Sequence, residues 1–468
     1  MKITLIGHAA ILIDIDGMTI LSDPWWRGPC FGAQWWNYPL PHLASIEGRH
    51  IDYIYISHRH HDHFHPGTLA TLPKTAKVLV SADIGLAGSV RELGFEVIEV
   101  GSDEAVTLAG GTVTCRIMRT HGDDTLLGIT DGHEVCLNLN DALHSAPRSV
   151  QTEFIQRLAA LYPRINYVFC GYGTASHFPN CYVIPGKDRA ATAAHRQRYF
   201  NAEWSRIIAQ LRPAYGFPFA ADVAFFENDL LWVNEAIHNS TRPTATFGQL
   251  YPQSDVATID IAPGFVIVDG KIQNDVRRQP VSETLLRQTC ADQIERANRF
   301  GTVDQASIDD VVALLEKNLA ISAQYLGSYH ANYRFLIQFH NSKLGIQIEK
   351  KGKAISLASI RLDDAALKAF DLLYTTRLPY LKWALTRPFG DEIMLVGSGG
   401  VFEYIDRADV RHNLHRELIV LLKKQTSNPK PRYGSDSKLM FEAKQRIKRF
   451  IGRETEDLYD LNTWTVFD

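Results

Sequence analysis

Short apolar runs, each cut off by glycine, proline or aspartate, fill the first 140 residues. "KITLIGH", "AILIDID", "MTILSDP", "DYIYISH", "AKVLVSA", "FEVIEVG", "AVTLAGG", "TVTCRIM", "TLLGITD" and "HEVCLNL" are rich in β-branched residues, which predicts strands joined by tight turns. "PGTLATLPK" and "IGLAGSVRELG" read as helical interruptions, and the strand "NYVFCG" at 166–171 precedes a long amphipathic helix over 188–211. Strand runs followed by mixed strand and helix predict sheets whose outer faces are covered by helices. Beyond a boundary within 270–282, "GKIQNDVRRQPVS", the pattern predicts helices at 283–300 and 306–325, strands at 333–338 and 344–350, and helices at 362–371 and 408–424. Two domains follow, 1–275 and a smaller α+β region over 276–468. The stretch from Lys423 to Arg453, basic around "SNPKPRYGSDS", reads as a solvated helix after a mobile linker.

Composition narrows the function classes. A chain of 468 residues exceeds the usual span of one core, and a formal charge of -3 with 45% hydrophobic residues describes a globular chain with no whole-chain attraction to nucleic acid. No apolar run approaches the roughly 18–20 residues of a membrane span, and the N-terminal alternation reads as a strand instead of a signal peptide. The expectation is a cytoplasmic protein with neither membrane nor nucleic acid as partner. Cys30, Cys115, Cys136, Cys170, Cys181 and Cys290 are scattered without C-x-x-C spacing, so buried thiols are expected, not a disulfide framework or a cysteine zinc site.

The segment "YISHRHHDHFHP" changes the picture, because five histidines and an aspartate occupy the eight positions 58–65. The strand pattern runs directly into His58 and His60, and an extended chain puts residues two apart on the same side, so both rings can meet one ion. Asp62 and His63 follow just before Pro66, a residue suited to the first turn of a helix, and can face a second ion. Imidazole and carboxylate donors suit zinc and iron. His61 is expected to point away as an outer or surface residue, and His65 to cap the helix or support Asp62. His133 and His144 are expected at the surface.

"HRHHDH" resembles the defining motif of the metallo-β-lactamase superfamily. The resemblance implies an α/β fold, a four-layer αββα sandwich with a one- or two-metal site at the sheet edge. "GHAAILIDIDGMTILSDPWWRGPCFGAQWW", "DYIYISHRHHDHFHPGTL", "HGDDTLLGITDGHEVCLNLND" and "LRPAYGFPFAAD" further resemble the metal-bearing region of the CMP-N-acetylneuraminate hydroxylase family and its bacterial relatives, a branch of oxygenases, over about the first 240 positions. Carried over position by position, the first metal takes His58, His60 and His121, the second takes Asp62 and His63, and Asp141 bridges them unless it is a turn or cap residue. The superfamily's late histidine has no counterpart here. Asp222 and Glu227 stand where it would fall, with His238 beyond; Glu227 is preferred, and a carboxylate there makes the site harder and more iron-like. His8 either lines the site or ends a strand with its hydrogen bonds satisfied. His177, in "GYGTASHFPNCY", becomes a proton carrier or substrate contact. The loop "DPWWRGPCFGAQWWNYP", too irregular for a strand, either forms an aromatic pocket wall beside Arg27 or plugs the core.

Two chemistries use such ligands. An oxygenase takes two irons, or one, with dioxygen as co-substrate and a small organic substrate. A dinuclear hydrolase of phosphodiester, ester or lactone bonds lowers the pKa of a bridging water, with zinc or manganese as the alternative metals. The tryptophan-rich loop and the branch resemblance favour oxidation. The paired Cys-x-His and Cys-x-x-His ligands of a Rieske cluster are absent from this sequence, so electrons are expected from a separate donor, a soluble reductant or the substrate, and CMP-sialate hydroxylation is not carried over. A closed structural metal site is disfavoured, because Asp62 and Asp141 suit two ions with an exchangeable position.

Overall fold

The computed structural model describes residues 1–426 apart from 103, 109, 145, 174–178, 222, 240, 300, 328–331, 363–366, 388–389 and 406–413. It divides into two compact units, Met1–Ala175 with Ala194–Ala291, and Ser176–Ala193 with Asp292–Asp468.

In the first unit, β1 (Lys2–Gly7), β2 (Ala10–Ile15) and β3 (Met18–Ser22) form an antiparallel meander. After β4 (Trp35–Asn37), which lies outside this sheet, the parallel strands β5 (Tyr53–Tyr55), β6 (Lys77–Ser81) and β7 (Glu96–Val100) extend it. The second sheet starts with the antiparallel strands β8 (Val106–Thr107), β9 (Thr114–Arg119), β10 (Thr125–Thr130) and β11 (Val135–Asn140). It continues in parallel through β12 (Tyr167–Gly171) to strands at Tyr215–Phe219 and Ala257–Thr258. Strands Val266–Val268 and Lys271–Asn274 close the far edge of the first sheet beside β1.

Period-two alternation explains why these runs looked apolar throughout. Ile11, Ile13 and Ile15 of β2 pack between the sheets with Ile117, Leu127 and Phe169, while Leu12 faces outward to Leu69, Val90 and the helices Pro66–Leu69 and Ala87–Glu92. On the other side, Met118, Leu126, Val168 and Cys170 face Phe154 and Leu158 of the helix Arg148–Leu161 and Trp204, Ile207 and Ile208 of the helix Arg189–Leu211. The central strands are thus buried on both faces, whereas Glu96–Val100 and Lys271–Asn274 at the two edges of the first sheet are largely exposed, and the layers stack helix, sheet, sheet, helix. This is the αββα sandwich that the histidine motif implied.

The second unit holds a six-stranded sheet with the helices Gln305–Gly327, Leu378–Thr386 and Leu414–Leu422 packed on one apolar face. Strands Tyr333–Phe339 and Leu344–Lys351 fall where the pattern placed them. Three others, Ala354–Arg361, Leu372–Thr376 and Gly400–Tyr404, were not anticipated; the first is an edge strand with no fully buried residue. The helix expected at 362–371 lies partly outside the described residues, and the basic stretch from Lys423 to Arg453 lies outside them from 427 onward. All six cysteines are buried and free, and among the described residues no helix is long and apolar enough to cross a membrane.

One local expectation needs correction. The tryptophan-rich loop contains a strand after all, because Trp35 and Trp36 pair antiparallel with Phe225 and Ala224 of the strand Val223–Phe225 and bury both indoles. Pairing with a partner nearly two hundred residues away overrides the irregular local pattern.

Candidate metal centre

The histidine segment leaves β5 at the edge of the first sheet. Asp23, the residue after β3, has a left-handed backbone (φ 38) and donates its amide to the Tyr55 carbonyl at 2.9 Å, which brings its carboxylate under the segment. Asp23 Oδ1 accepts the Ser57 amide at 2.8 Å, and Oδ2 accepts both the Ser57 hydroxyl at 2.8 Å and His63 Nδ1 at 2.9 Å. His58 Nδ1 lies 2.9 Å from Ser57 Oγ. These acceptors place a proton on Nδ1 of both rings, so the Nε2 atoms are the ones aimed at the site.

His63 Nε2 is buried without a hydrogen-bond partner and lies 3.4 Å from both Asp62 Oδ2 and Asp141 Oδ2. Asp141 reaches this point from the end of β11 across the interface between the sheets. Asp62 Oδ2 is also 3.0 Å from His8 Nε2, at the end of β1, where the backbone is again left-handed (φ 42). Burial opposes charging His63, but Asp62, Asp23 and Asp141 outweigh it and raise its pKa well above the usual imidazole range. Burial likewise resists ionisation of Asp62 and Asp141, and the His63 charge overcomes it, holding both carboxyls well below the usual range. In the metal-free protein one proton therefore stands where several anionic donors converge. An orphaned ring nitrogen between two ionised carboxylates fits a cation, whose binding would displace that proton.

The adjoining cluster is less charged. His58 Nε2 faces His60 Nδ1 at 2.8 Å, and Asp124 Oδ1 lies 3.8 Å from His58 Nε2. Burial, together with the charges of His63 and His60, pushes the His58 pKa well below the usual range, so this ring stays neutral and available as a ligand. Burial and the neighbouring Asp141 raise the Asp124 carboxyl to about 7. Among the described residues, three groupings of ligand atoms come within 4.8 Å of one another: His8 with Asp62 and His63, His58 with His60 and Asp124, and His58 with His63 and Asp141.

The structure thus brings together His58, His60, Asp62, His63 and Asp141, with His8 against Asp62. His121 is exposed on the turn before β10 and belongs to none of the groupings. Glu227 is buried on the turn after the strand Val223–Phe225 and is likewise in none of them. His177 and Asp222 lie outside the described residues. His238 is buried, with Nε2 2.7 Å from the Val223 carbonyl and Nδ1 3.0 Å from Arg278. His61 is exposed, and His65 caps the helix Pro66–Leu69 by accepting the Thr68 amide at Nδ1.

Four residues escaped the sequence reading. Asp23 and Ser57 orient the rings; the only hint was an acid directly after a strand in "LSDP". Asp124 stands in "HGDDT", where the likeness to the superfamily singles out the histidine. His144, expected at the surface, is buried beside Asp141 with Nδ1 lacking a hydrogen-bond partner, and Gly171 at the end of β12 lets the chain pass this close: a Cβ there would meet Asn140 O at 2.6 Å, His144 Nδ1 at 2.8 Å and Asp141 Oδ1 at 3.2 Å.

Aromatic rings wall the site. Trp25 is buried edge-on to His8 at 5.2 Å, and Phe31 lies 6.5 Å from His60, 5.4 Å from His61 and 4.7 Å from Trp35. Such a wall limits water and lowers the local dielectric, strengthening every charge interaction inside.

Residues 2–116 match the family model described as a beta-lactamase superfamily domain. A putative Rieske 2Fe-2S iron-sulfur protein of Mycobacterium tuberculosis (strain CDC 1551 / Oshkosh) is 26% identical over 250 residues, 50% of this chain and 46% of that protein. A metal-dependent hydrolase of Herpetosiphon aurantiacus is 33% identical over 98 residues, 21% of this chain and 36% of its own. The chain spans about half the length, or less, of these curated relatives. Among solved structures, the metallo hydrolase Igni18 of Ignicoccus hospitalis aligns with TM-score 0.40 and 16% identity, covering 57% of this chain and 97% of its own. A mutant of CmlA beta-hydroxylase aligns with TM-score 0.37 and 19% identity, covering 55% and 52%.

Proposed function

We propose that this chain, which carries a beta-lactamase superfamily domain over residues 2–116 within a metallo-β-lactamase sandwich, is a dinuclear metal-dependent oxygenase acting on a small organic substrate, with iron as its metal. The observation that carries the metal reading is His63 Nε2, buried, without a hydrogen-bond partner and equidistant from two ionised carboxylates. Oxidation is supported by the hardness of the donors, since the carboxylates of Asp62, Asp124 and Asp141 converge on the site alongside four imidazoles, a set that suits iron or manganese at least as well as zinc. It is supported also by relatives named for a Rieske cluster, a centre that transfers electrons.

Bound ions would supply Lewis acidity and, as iron, the one-electron steps that dioxygen requires. The chain does the rest. His58 and His60 would hold the first ion, Asp62 and His63 the second, and Asp141 stands close enough to His58 and His63 to serve either. Asp23 and Ser57 fix the tautomers of His58 and His63, so that no ring must turn when the site fills. His8 holds Asp62 at one oxygen and is placed to keep or pass a proton at Nε2. Trp25 and Phe31, both fully buried, pack behind His8 and His60 and keep water from that side of the site.

Hydrolysis is the second reading, favoured by the metal-dependent hydrolase among the relatives. Elemental analysis of anaerobically purified protein, followed by oxygen-uptake measurements with the iron-loaded form, separates the two. Iron with oxygen consumption supports the oxygenase; zinc with turnover of a phosphodiester or lactone overturns it. His60→Ala should lose metal under both readings, and wild-type metal content in that variant would remove the centre itself.

A further inference from the structure

We propose that Asp124, not His121, completes the first metal position, so that His58, His60 and Asp124 form a two-histidine, one-carboxylate triad; the inference rests on the dinuclear reading above. The turn Thr120–Asp124 joins β9 to β10, whose register pairs Arg119 with Thr125. Both ends of this turn are fastened to the metal-bearing loops. Thr120 Oγ1 donates to the carbonyl of Ala142, the residue after Asp141, at 2.7 Å, and Thr125 Oγ1 donates to the carbonyl of Ser57, the residue before His58, at 2.5 Å. The residue between them on the inner side is Asp124.

The outer side of the turn is held just as firmly. Arg119 donates from Nε to the Gly122 carbonyl at 2.6 Å, from Nη2 to Asp123 Oδ1 at 3.0 Å and from Nη1 to the Asp83 carbonyl at 3.0 Å. Gly122 takes the left-handed backbone (φ 64) that the reversal demands. The Thr120 amide donates to the Asp124 carbonyl at 2.9 Å, and the Asp124 amide to the His121 carbonyl at 3.2 Å. With its main chain tied at these points, the turn leaves His121 and Asp123 exposed and brings Asp124 Oδ1 to 3.8 Å from His58 Nε2, within one cluster with His60. Moving the main chain of the turn inward would require breaking the Arg119 clamp and the Thr120 contacts together.

His58 belongs to this cluster and to the one containing His63 and Asp141, so the Asp124 and Asp141 carboxyls approach the same ring and repel each other when both are ionised. A cation between them converts that repulsion into ligation. Two imidazoles and one carboxylate with open positions are the donor set of non-haem iron(II) centres, whereas three imidazoles suit zinc. The substitution of an oxygen donor for the expected nitrogen thus bears directly on which metal the first position prefers.

Cobalt(II) serves as the probe, added to the full metal-free chain carrying Asp124→Asn, Asp124→His or His121→Ala, with bound cobalt measured by elemental analysis and its ligand field by visible absorption. D124N should lose one of the two ions, its affinity there falling by more than about 100-fold, beyond the roughly 10–100-fold loss typical of outer partners. H121A should keep the stoichiometry and the spectrum of the wild type. D124H should recover the lost ion with shifted bands, because nitrogen replaces oxygen in the ligand set. Circular dichroism of the metal-free variants reports whether each folds. Loss of an ion in H121A, or full retention in D124N, overturns the inference while the dinuclear reading stands. A wild-type chain that binds no cobalt overturns both.

Discussion

Asp23 Oδ2 and His63 Nδ1 meet at 2.9 Å, forty residues apart in sequence, and this contact decides which nitrogen of His63 faces the site. The same carboxylate accepts the Ser57 amide and hydroxyl, so both its oxygens are committed to donors. In Asp23→Asn an amide nitrogen must face one of those donors in either flip. The variant should bind metal about 10–100-fold more weakly and lose about 1–3 kcal/mol of metal-free stability. Metal titration by calorimetry and urea unfolding check the two effects.

His8 touches Asp62 but sits apart from His58, His60 and Asp141. His8→Gln keeps an N–H near the ring Nε2 while removing a titratable proton. Metal content should persist and turnover should fall by about 100-fold or more, the range of proton-transfer catalysis. Unchanged turnover in the metal-loaded variant would reduce His8 to holding Asp62 in place.

Gly171 leaves no room for a side chain. A methyl in Gly171→Ala would lie 2.6 Å from the Asn140 carbonyl and 2.8 Å from His144 Nδ1, so β12 must retreat from the Asp141 loop. The expected cost is about 1–3 kcal/mol in denaturant unfolding, together with lower metal occupancy because Asp141 moves. Full stability and occupancy would contradict the packing described.

Asp124 carries a pH dependence of definite sign in the metal-free protein. Its folded pKa, raised to about 7, exceeds the unfolded value of 3.8, so the folded state keeps its proton longer. Stability from this group is present at low pH and is lost as pH rises from about 4 to 7, with no further change above. Asp124→Asn lacks this slope. The difference between wild type and variant should grow across that window to at most about 4 kcal/mol in the variant's favour at pH 8. Urea unfolding in the presence of chelator measures it, and a difference that is flat with pH would refute the shift.

Stretches with a local signature were readable in the chain. β-Branched runs and their punctuation marked the strands of the first unit, and the clustering of His58, His60, Asp62 and His63 was readable because a strand running into a turn constrains neighbours two to five residues apart. Asp141 was readable only through its likeness to the superfamily. The edge strand Ala354–Arg361 went unnoticed because half of it faces solvent, and Trp35–Asn37 because its partner strand is remote.

The sequence by itself determined strand runs covered by helices and the core of the histidine motif, since periodicity and short-range spacing are properties of consecutive residues, while the four-layer sandwich was implied by the motif's likeness to the superfamily. Only the tertiary structure decided that Asp23 orients His63, that His8 reaches Asp62, that His144 is buried and that Asp124 faces inward while His121 faces out. Each depends on sheet register and on side-chain hydrogen bonds tying one loop to another, and such contacts leave no periodic trace along the chain.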